Sequence, residues 1–188
     1  MRVLTVCTGN ICRSPAVELL LASELAAHAG DPVITVASAG TAAVVGAPVS
    51  APMAALLTEV DVPSDGFAAR QVTPHDLRSS DLVVALTREH RTAAVQLEPS
   101  IVRRTFTLLE LARIAAAIDP DELGDGAPAA RLAALVALAG PRRGVLRAAE
   151  PQDDDVADPY GRGDAAYRAS FDRLRPAVTV IARAVARA

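Results

Sequence analysis

The sequence predicts an α/β fold: a three-layer sandwich in which a central, mainly four-stranded parallel sheet has helices on both faces. Short apolar runs rich in β-branched residues alternate along the chain with segments of helical periodicity, and this alternation is typical of parallel βαβ units. The chain has 188 residues, which is enough for one sizeable core. We therefore expect residues 1–188 to form one domain.

The first predicted unit is a strand at 2–6, a polar loop and a helix. The run RVLTV indicates a buried strand. Ser14 suits the N-cap of the helix, Pro15 suits its first position, and Glu18 falls in the first turn, where its charge complements the helix dipole. We expect this helix to extend to about Gly30.

The later elements follow the same alternation. Runs such as PVITVAS and DLVVAL indicate strands because β-branched and other apolar residues dominate them, while helical periodicity indicates the helices. The predicted elements are a strand at 32–38, a helix near 51–60, a strand at 81–86, a helix at 88–97, a strand at 101–106, a helix at 108–118 and a long amphipathic helix at 164–187.

Residues 119–157 depart from this alternation. The stretch DPDELGDGAPAA precedes a short alanine-rich helix at 128–139, and the acidic run EPQDDDVAD follows it. Segments of this composition are usually found at the surface, and an acidic run is usually a solvated face. We expect a partly mobile surface insertion within the domain.

Composition excludes several classes of partner. The formal net charge of −3 gives no indication of nucleic-acid binding. No apolar run approaches the roughly 18 residues that span a bilayer, and the N-terminus lacks the apolar region of a signal peptide. We expect a soluble cytoplasmic protein that binds neither nucleic acid nor membrane.

Cysteine and histidine usage gives no indication of a metal site. The two cysteines, Cys7 and Cys12, are too close in sequence to tie distant segments together, and two ligands are too few for a tetrahedral zinc ion. His28, His75 and His90 are scattered in or near helical patterns, where a solvated or capping role is expected.

The loop between the first strand and the first helix, CTGNICRSP at 7–15, carries the chemistry. Ligands bind at strand-to-helix turns in open α/β sheets, and the helix N-terminus offers unpaired N–H groups and a partial positive charge. Gly9 permits a tight turn whose N–H groups converge, and Arg13 adds a permanently charged fork. These features predict a site for an oxyanion such as phosphate.

Cys7 ends the strand below this anion site. The positive field there favours the thiolate, which is the nucleophilic form, and a thiolate below a phosphate is placed for in-line attack on phosphorus. Ser14 can donate a hydrogen bond to the sulfur and ease its later departure. Asn10 is a residue type that tolerates left-handed backbone and can brace the loop.

Residues 7–15 resemble the phosphate-binding loop of the low-molecular-weight protein tyrosine phosphatases. Ser38-Ala39-Gly40-Thr41 resembles the SAGT of that family, DLVVALTREH at 81–90 resembles its third strand and following turn, and Asp158-Pro159-Tyr160 resembles its late DPY or DPF loop. The resemblance extends over most of the chain except 119–157.

The resemblance implies a role for each residue of the site. Cys7 would form a phosphocysteine, Arg13 and the loop amides would hold the phosphoryl group, and Asp158 would protonate the leaving oxygen and then activate water. Neither a metal nor a cofactor is implied, and the partners would be a phosphorylated protein and inorganic phosphate or another oxyanion. The residues expected to bind phosphate or substrate are Thr8, Gly9, Asn10, Ile11, Cys12, Arg13, Ser14 and Tyr160, with Asn10, Ser14 and Ser38 supporting the loop and the thiolate.

Two of these residues keep two interpretations. Cys12 packs under the loop or, as the resemblance implies, forms a reversible disulfide with Cys7 that protects the nucleophile from over-oxidation. Ser38 either closes a turn or supports the loop.

The sequence contains conflicting indications of substrate. Ile11 favours phosphotyrosine, because the phosphoarginine branch of the family tends to carry threonine there, and Tyr160 can stack on an aromatic ring. In contrast, Asp158-Pro159-Tyr160-Gly161 and Thr87-Arg88-Glu89-His90 resemble the phosphoarginine branch. We favour phosphotyrosine, with phosphoarginine second, and expect Tyr167 to pack in the last helix.

Two further functions stay open. An arsenate reductase would have to use external thiols, because the chain has no cysteine beyond Cys12. A regulatory module that binds phosphate without turnover is disfavoured by the presence together of Cys7, Arg13 and Asp158. A nucleotide-binding P-loop is weaker still, because CTGNIC lacks both its glycine spacing and its lysine.

Overall fold

Four parallel strands form one sheet in this computed structural model, which describes residues 1–28 and 34–186. The strands are β1 (Arg2–Cys7), β2 (Thr35–Gly40), β3 (Leu82–Ala85) and β4 (Thr105–Thr107), in the order β2-β1-β3-β4. The first strand is central and pairs with two neighbours, so that Cys7 lies opposite Gly40 and Val6 opposite Ala85.

The described residues contain seven α-helices. They are α1 (Arg13–His28), α2 (Ala51–Thr58), α3 (Pro74–Arg78), α4 (Arg88–Leu97), α5 (Leu108–Ala117), α6 (Pro128–Arg142) and α7 (Asp164–Val185). None of the helices in the described ranges is both long enough and apolar enough to cross a bilayer.

Side chains of β1 alternate between two hydrophobic clusters, one on each face of the sheet. Val3 and Cys7 belong to the larger cluster, with α1, α2, α5, α6 and α7, while Leu4 and Val6 belong to the smaller one, with α3 and α4. Successive residues of a strand point to opposite faces, which explains the division. The predicted three-layer α/β sandwich is therefore confirmed.

The start of α1 differs from the prediction. The helix begins at Arg13, so Ser14 is not its N-cap, Pro15 is its third residue, and Glu18 lies beyond the first turn. The side-chain oxygen of Ser14 instead faces Cys7 and Asn10. The predicted helix end near Gly30 and the predicted strand start at 32 fall within 29–33, outside the described residues. Arg187, the predicted end of the last helix, also lies outside them.

The strand predicted at 101–106 is mostly wrong. Residues Pro99–Arg104 form a 3₁₀ helix, and β4 begins only at Thr105. Pro99 fits the start of a helical turn, and the Glu98 carboxylate accepts a hydrogen bond from the Ser100 N–H at 3.3 Å. These local signals outweigh the apolar and β-branched content of the run.

Residues 119–157 contain more structure than the predicted short helix. Two 3₁₀ turns, Pro120–Leu123 and Pro151–Asp154, flank α6, which is longer than predicted. Leu132 and Leu135 of α6 and Val156 after it are buried in the larger cluster. That the segment is an insertion stays a prediction, but these apolar side chains are part of the core.

Candidate active site

The loop between β1 and α1 is held from outside by the segment that follows β2. The carbonyl oxygens of residues 7–9 accept hydrogen bonds at 2.9 to 3.0 Å from backbone N–H groups within residues 41–44. These bonds direct the carbonyl groups away from the centre of the loop. Asn10 has φ of 56°, in the left-handed region that the sequence analysis expects its residue type to tolerate.

Gly40 is required by the close approach of the loop to β2. A Cβ atom at this position would lie 2.3 Å from the carbonyl oxygen of Thr8, which is a backbone atom with little freedom to move. The glycine of the SAGT segment therefore allows the phosphate-binding loop to pack directly on the end of β2.

A chain of hydrogen bonds leads from the Cys7 sulfur into the core. Its Sγ lies 2.9 Å from Ser14 Oγ, which accepts a hydrogen bond from Asn10 Nδ2 at 3.0 Å. Because Ser14 Oγ already accepts that hydrogen bond, its own proton is available for the sulfur. The predicted donor to a Cys7 thiolate is thus within reach.

Asn10 extends this chain in two further directions. Its Nδ2 donates to Ser38 Oγ at 2.7 Å, and its Oδ1 accepts from the backbone N–H of Arg70 at 2.8 Å. Ser38 Oγ in turn donates to Glu18 Oε2 at 2.5 Å. Both branches of the network therefore start from Asn10 Nδ2 as the donor. The second branch ends on Glu18, whose carboxylate can only accept when it is ionised.

Glu18 is a member of this network that sequence reasoning misses. Burial raises the pKa of its carboxyl group, and the hydrogen bond from Ser38 and the charge of Arg70 act in the opposite sense. From the sequence, Glu18 is expected only to complement the helix dipole. Its contact with Ser38 of β2 depends on the packing of α1 against the sheet, for which the sequence carries no motif.

Arg13 is the buried cation of the site. Its side chain is 4% exposed, Nη1 donates to the carbonyl oxygen of Val156 at 3.0 Å, and Nη2 lies 2.6 Å from Asp158 Oδ2. Its Nε is buried and has no hydrogen-bond partner among the described residues. A buried N–H without an acceptor is costly, and an anionic oxygen is the acceptor that suits a guanidinium.

Asp158 comes to this site from the other end of the chain. Its carboxylate is 45% exposed, and Oδ1 accepts a hydrogen bond from the backbone N–H of Tyr160 at 3.1 Å. The structure therefore brings together three of the predicted residues. Cys7 and Arg13 belong to one short loop, and Asp158 contacts Arg13 directly. Tyr160 lies beside them with its side chain 64% exposed.

Cys12 lies on the buried side of the loop. Its Sγ is 3.1 Å from Ser50 Oγ and 3.6 Å from the Tyr167 hydroxyl of α7, where Tyr167 is buried as expected. Burial raises the pKa of the Cys12 thiol, which favours the protonated form at neutral pH. The two cysteines are free thiols, and the redox role of Cys12 stays a prediction.

His90 is a second residue that sequence reasoning misses. Instead of being solvated, it is buried, with Nε2 2.8 Å from Thr8 Oγ1 and Nδ1 2.9 Å from Thr87 Oγ1. Burial and then the charge of Arg13 lower its pKa to about 4, so the ring is neutral at physiological pH. The sequence feature that could have indicated this position is Thr87. Its hydroxyl caps α4 by accepting a hydrogen bond from the His90 N–H.

The acidic run EPQDDDVAD is only in part the expected solvated face. Asp153 is exposed, but Asp154 pairs with Arg113 of α5 at 2.7 Å, and Asp155 pairs with Arg88 of α4 at 3.0 Å. The prediction fails for these two carboxylates because arginines distant in sequence converge on them.

The family model described as low molecular weight phosphotyrosine protein phosphatase matches residues 2–120. This range contains Cys7, Arg13 and Ser38 but not Asp158. The curated low molecular weight protein-tyrosine-phosphatase Etp of Escherichia coli strain K12 is 36% identical over 104 residues, which are 55% of this chain and 66% of Etp. The chain thus matches just under two thirds of the length of this relative.

Solved structures extend the similarity over nearly the whole chain. The tyrosine phosphatase AmsI of Erwinia amylovora has a TM-score of 0.71 at 25% identity, over 99% of this chain and 93% of AmsI. The YwlE arginine phosphatase of Geobacillus stearothermophilus has a TM-score of 0.67 at 26% identity, over 97% of this chain and 90% of YwlE.

Proposed function

Because the chain belongs to the low molecular weight phosphotyrosine protein phosphatase family, we propose that it hydrolyses phosphotyrosine in proteins through a phosphocysteine intermediate. The observation that carries the proposal is the contact between Arg13, from the Cys7 loop, and the Asp158 carboxylate at 2.6 Å. This contact puts a nucleophile, a phosphate-binding cation and a proton donor in one place, as the reaction requires.

In the first step, the Cys7 thiolate attacks phosphorus and the bond from phosphorus to the ester oxygen breaks. The leaving oxygen takes its proton from the protonated carboxyl of Asp158, so the alcohol departs neutral. Arg13 holds two phosphoryl oxygens, and the unpartnered Nε supplies a donor for one of them.

In the second step, the Asp158 carboxylate takes a proton from water, and the water oxygen attacks phosphorus. The sulfur–phosphorus bond breaks, the electron pair returns to Cys7, and inorganic phosphate is released. Ser14 Oγ, 2.9 Å from the sulfur, donates a hydrogen bond to the departing thiolate. The two steps together consume one water and restore the enzyme.

The entrance to the site is apolar, which supports phosphotyrosine as the substrate. Val44 and Val45 are 50% and 70% exposed, and a Cβ atom on Gly9 would meet both Val44 and Ile11 within 3.8 Å. These side chains, with the exposed ring of Tyr160, offer apolar area to an aromatic substrate. None of these side chains is a carboxylate that could pair with a guanidinium, and Asp158 is the carboxylate of the site.

Phosphoarginine is the second candidate substrate. The similarity to the YwlE arginine phosphatase favours it, as does Asp158-Pro159-Tyr160-Gly161, since the Asp158 carboxylate can pair with a guanidinium. An arsenate reductase that uses external thiols and a silent phosphate-binding module remain weaker alternatives. The cytoplasmic location stays a prediction as well.

Steady-state hydrolysis of an aryl phosphate, a phosphotyrosine peptide and a phosphoarginine peptide tests the proposal, with Cys7→Ser as control. We expect turnover of the aryl and tyrosine esters by the native protein and none by the variant. Turnover of phosphoarginine alone would keep the mechanism and overturn the substrate. No turnover by the reduced, folded protein, with phosphate binding retained, would favour the silent module.

A further inference from the structure

Asp155 makes the most extensive contacts of the three aspartates that precede the Asp158 loop. Its Oδ1 accepts a hydrogen bond from the backbone N–H of Arg88 at 2.7 Å, and its two oxygens contact the Arg88 guanidinium at Nε and Nη2 at 3.0 to 3.3 Å. The backbone N–H lies at the N-terminus of α4, where an anion is favoured. Asp155 is therefore anchored both to a charged fork and to a helix end.

The next residue, Val156, is fixed on both sides. Its side chain is fully buried, its N–H donates to the carbonyl oxygen of Leu86 at 2.9 Å, and its own carbonyl oxygen accepts from Arg13 Nη1 at 3.0 Å. Leu86 directly follows β3. The segment between the acidic run and Asp158 is thus joined both to the end of β3 and to Arg13.

We propose that Asp155 is a positioning residue for Asp158. Its contacts with Arg88 fix Val156 against the end of β3, and Val156 sets the distance of the Asp158 carboxylate from Arg13 and Cys7. This inference rests on the proposed function, in which Asp158 is the proton donor. Nothing in the resemblance of the sequence assigns a role to Asp155 or Arg88.

The short distance along the chain makes the coupling effective. Asp158 is three positions after Asp155, so the chain between them spans at most about 10 Å, and Val156 fixes it part of the way. A shift of about 1 Å in a reacting group can cost about 100-fold in rate. Asp158 itself is half-exposed and contacts Arg13, so its position depends on how the segment before it is fixed to the end of β3.

The test compares Asp155→Asn with Asp154→Asn as a matched control. Asp154 also pairs with an arginine, Arg113, but its contact lies on α5 and does not involve β3, α4 or Arg13. Both variants lose one carboxylate–arginine pair of comparable exposure, so an effect on overall stability is expected from both. Only the loss at Asp155 is expected to move the proton donor.

The readout is kcat/KM for aryl phosphates whose leaving groups differ in basicity. Basic leaving groups need the proton from Asp158, while weakly basic ones leave without it. We expect Asp155→Asn to lose about 10-fold in kcat/KM for phosphotyrosine and less than about 3-fold for p-nitrophenyl phosphate. Asp154→Asn is expected to retain the native dependence of kcat/KM on leaving-group basicity. Asp158→Asn should show the steepest dependence.

Two further measurements separate positioning from general damage. The inhibition constant for inorganic phosphate should stay within about 2-fold in Asp155→Asn, because Arg13 and the loop are retained. Arg88→Gln should give a smaller loss of the same kind, since its backbone N–H remains, and the double variant should be no worse than Asp155→Asn alone.

The outcomes distinguish the inference from the proposed function. If Asp158→Asn steepens the dependence on leaving group but Asp155→Asn matches Asp154→Asn, the inference is wrong and the mechanism stands. If Asp158→Asn has no such effect, Asp158 is not the proton donor and the proposed function itself fails at that residue. An equal loss for all leaving groups in Asp155→Asn would also overturn the positioning role.

Discussion

The two cysteines of the loop are five residues apart, yet their surroundings differ in chemistry. Cys7 faces Ser14, which accepts a hydrogen bond from Asn10, whereas Cys12 lies against Ser50 and the Tyr167 hydroxyl. The sequence predicts that Cys7, Arg13 and Ser14 belong to the site because they lie close together in one strand–loop–helix unit. Their relative positions are set by that local structure alone. The sequence does not predict the partners of Cys12, because these come from distant elements.

Residues whose role depends on distant contacts are the ones that sequence reasoning missed. His90 and Glu18 are polar residues on helices, and a helical pattern alone gives them a solvated or dipole-related role. Of their actual partners, Thr8 directly follows β1 and Ser38 lies in β2. Only the packing of the elements brings such pairs together, and one sequence does not encode that packing in a readable motif.

His90 predicts a pH dependence of stability. Its pKa is about 4 in the folded protein and 6.5 as an ordinary histidine, so the unfolded chain binds its proton first as the pH falls. Stability associated with His90 is present above pH 6.5 and is lost between pH 6.5 and about 4. The pKa difference corresponds to about 3 kcal/mol.

Urea unfolding of the native protein and of His90→Gln between pH 4 and 7.5 measures this effect. The variant should lose less stability than the native protein on acidification, by about 3 kcal/mol over the window. His75→Gln is the matched control, because His75 is exposed, and it should follow the native curve. Parallel curves for the native protein and His90→Gln would contradict the neutral, buried His90.

At the scale of elements, strands and long helices were predicted better than the segments between them. The helix at 88–97 has the predicted bounds, and β1 and β3 differ from prediction by one or two residues. The run at 101–106 fails because a 3₁₀ turn and a short strand share it. Apolar periodicity cannot show where the helical turn ends and the strand begins in so short a run. The start of the turn is determined locally by Glu98 and Pro99.

Gly40 predicts that β2 and the phosphate-binding loop act as one unit. In Gly40→Ala the new methyl group would overlap the Thr8 carbonyl oxygen at 2.3 Å, so the loop must move away from β2. We expect kcat/KM for an aryl phosphate to fall by about 100-fold or more, because the loop amides lose their alignment.

The control is Gly144→Ala, at a position where an added Cβ meets no atom within 4 Å. This variant should keep the native kcat/KM and change the free energy of unfolding by less than about 0.5 kcal/mol. Native activity in Gly40→Ala would show that the close approach to Thr8 does not hold the loop.

For the whole molecule, the open question is whether 119–157 is separate from the catalytic core. Leu132, Leu135 and Ala139 of α6 are buried in the same cluster as Cys7 and α7, and Arg131 donates to the carbonyl oxygen of Ala184 at 3.1 Å. The composition of the segment predicted a surface position because its flanks are polar. The apolar face of α6 contradicts a purely external location.

Leu135→Ala tests whether the chain unfolds as one domain. The side chain is fully buried, so its truncation should lower the free energy of unfolding by about 3 kcal/mol in a single transition followed by circular dichroism. Val145→Ala, at an 84% exposed position in the same segment, should change it by less than about 0.5 kcal/mol. A separate early transition in Leu135→Ala would instead define an independent unit.

The central claim is that Cys7 becomes phosphorylated during turnover. Rapid mixing with p-nitrophenyl phosphate, a denaturing quench and peptide mass spectrometry detect the intermediate directly, with Cys7→Ala and Cys12→Ser as controls. We predict a phosphoryl group on the Cys7 peptide in the native protein and in Cys12→Ser, and none on the corresponding peptide of Cys7→Ala. Turnover by the native protein without a phosphorylated Cys7, or turnover by Cys7→Ala, would contradict the mechanism.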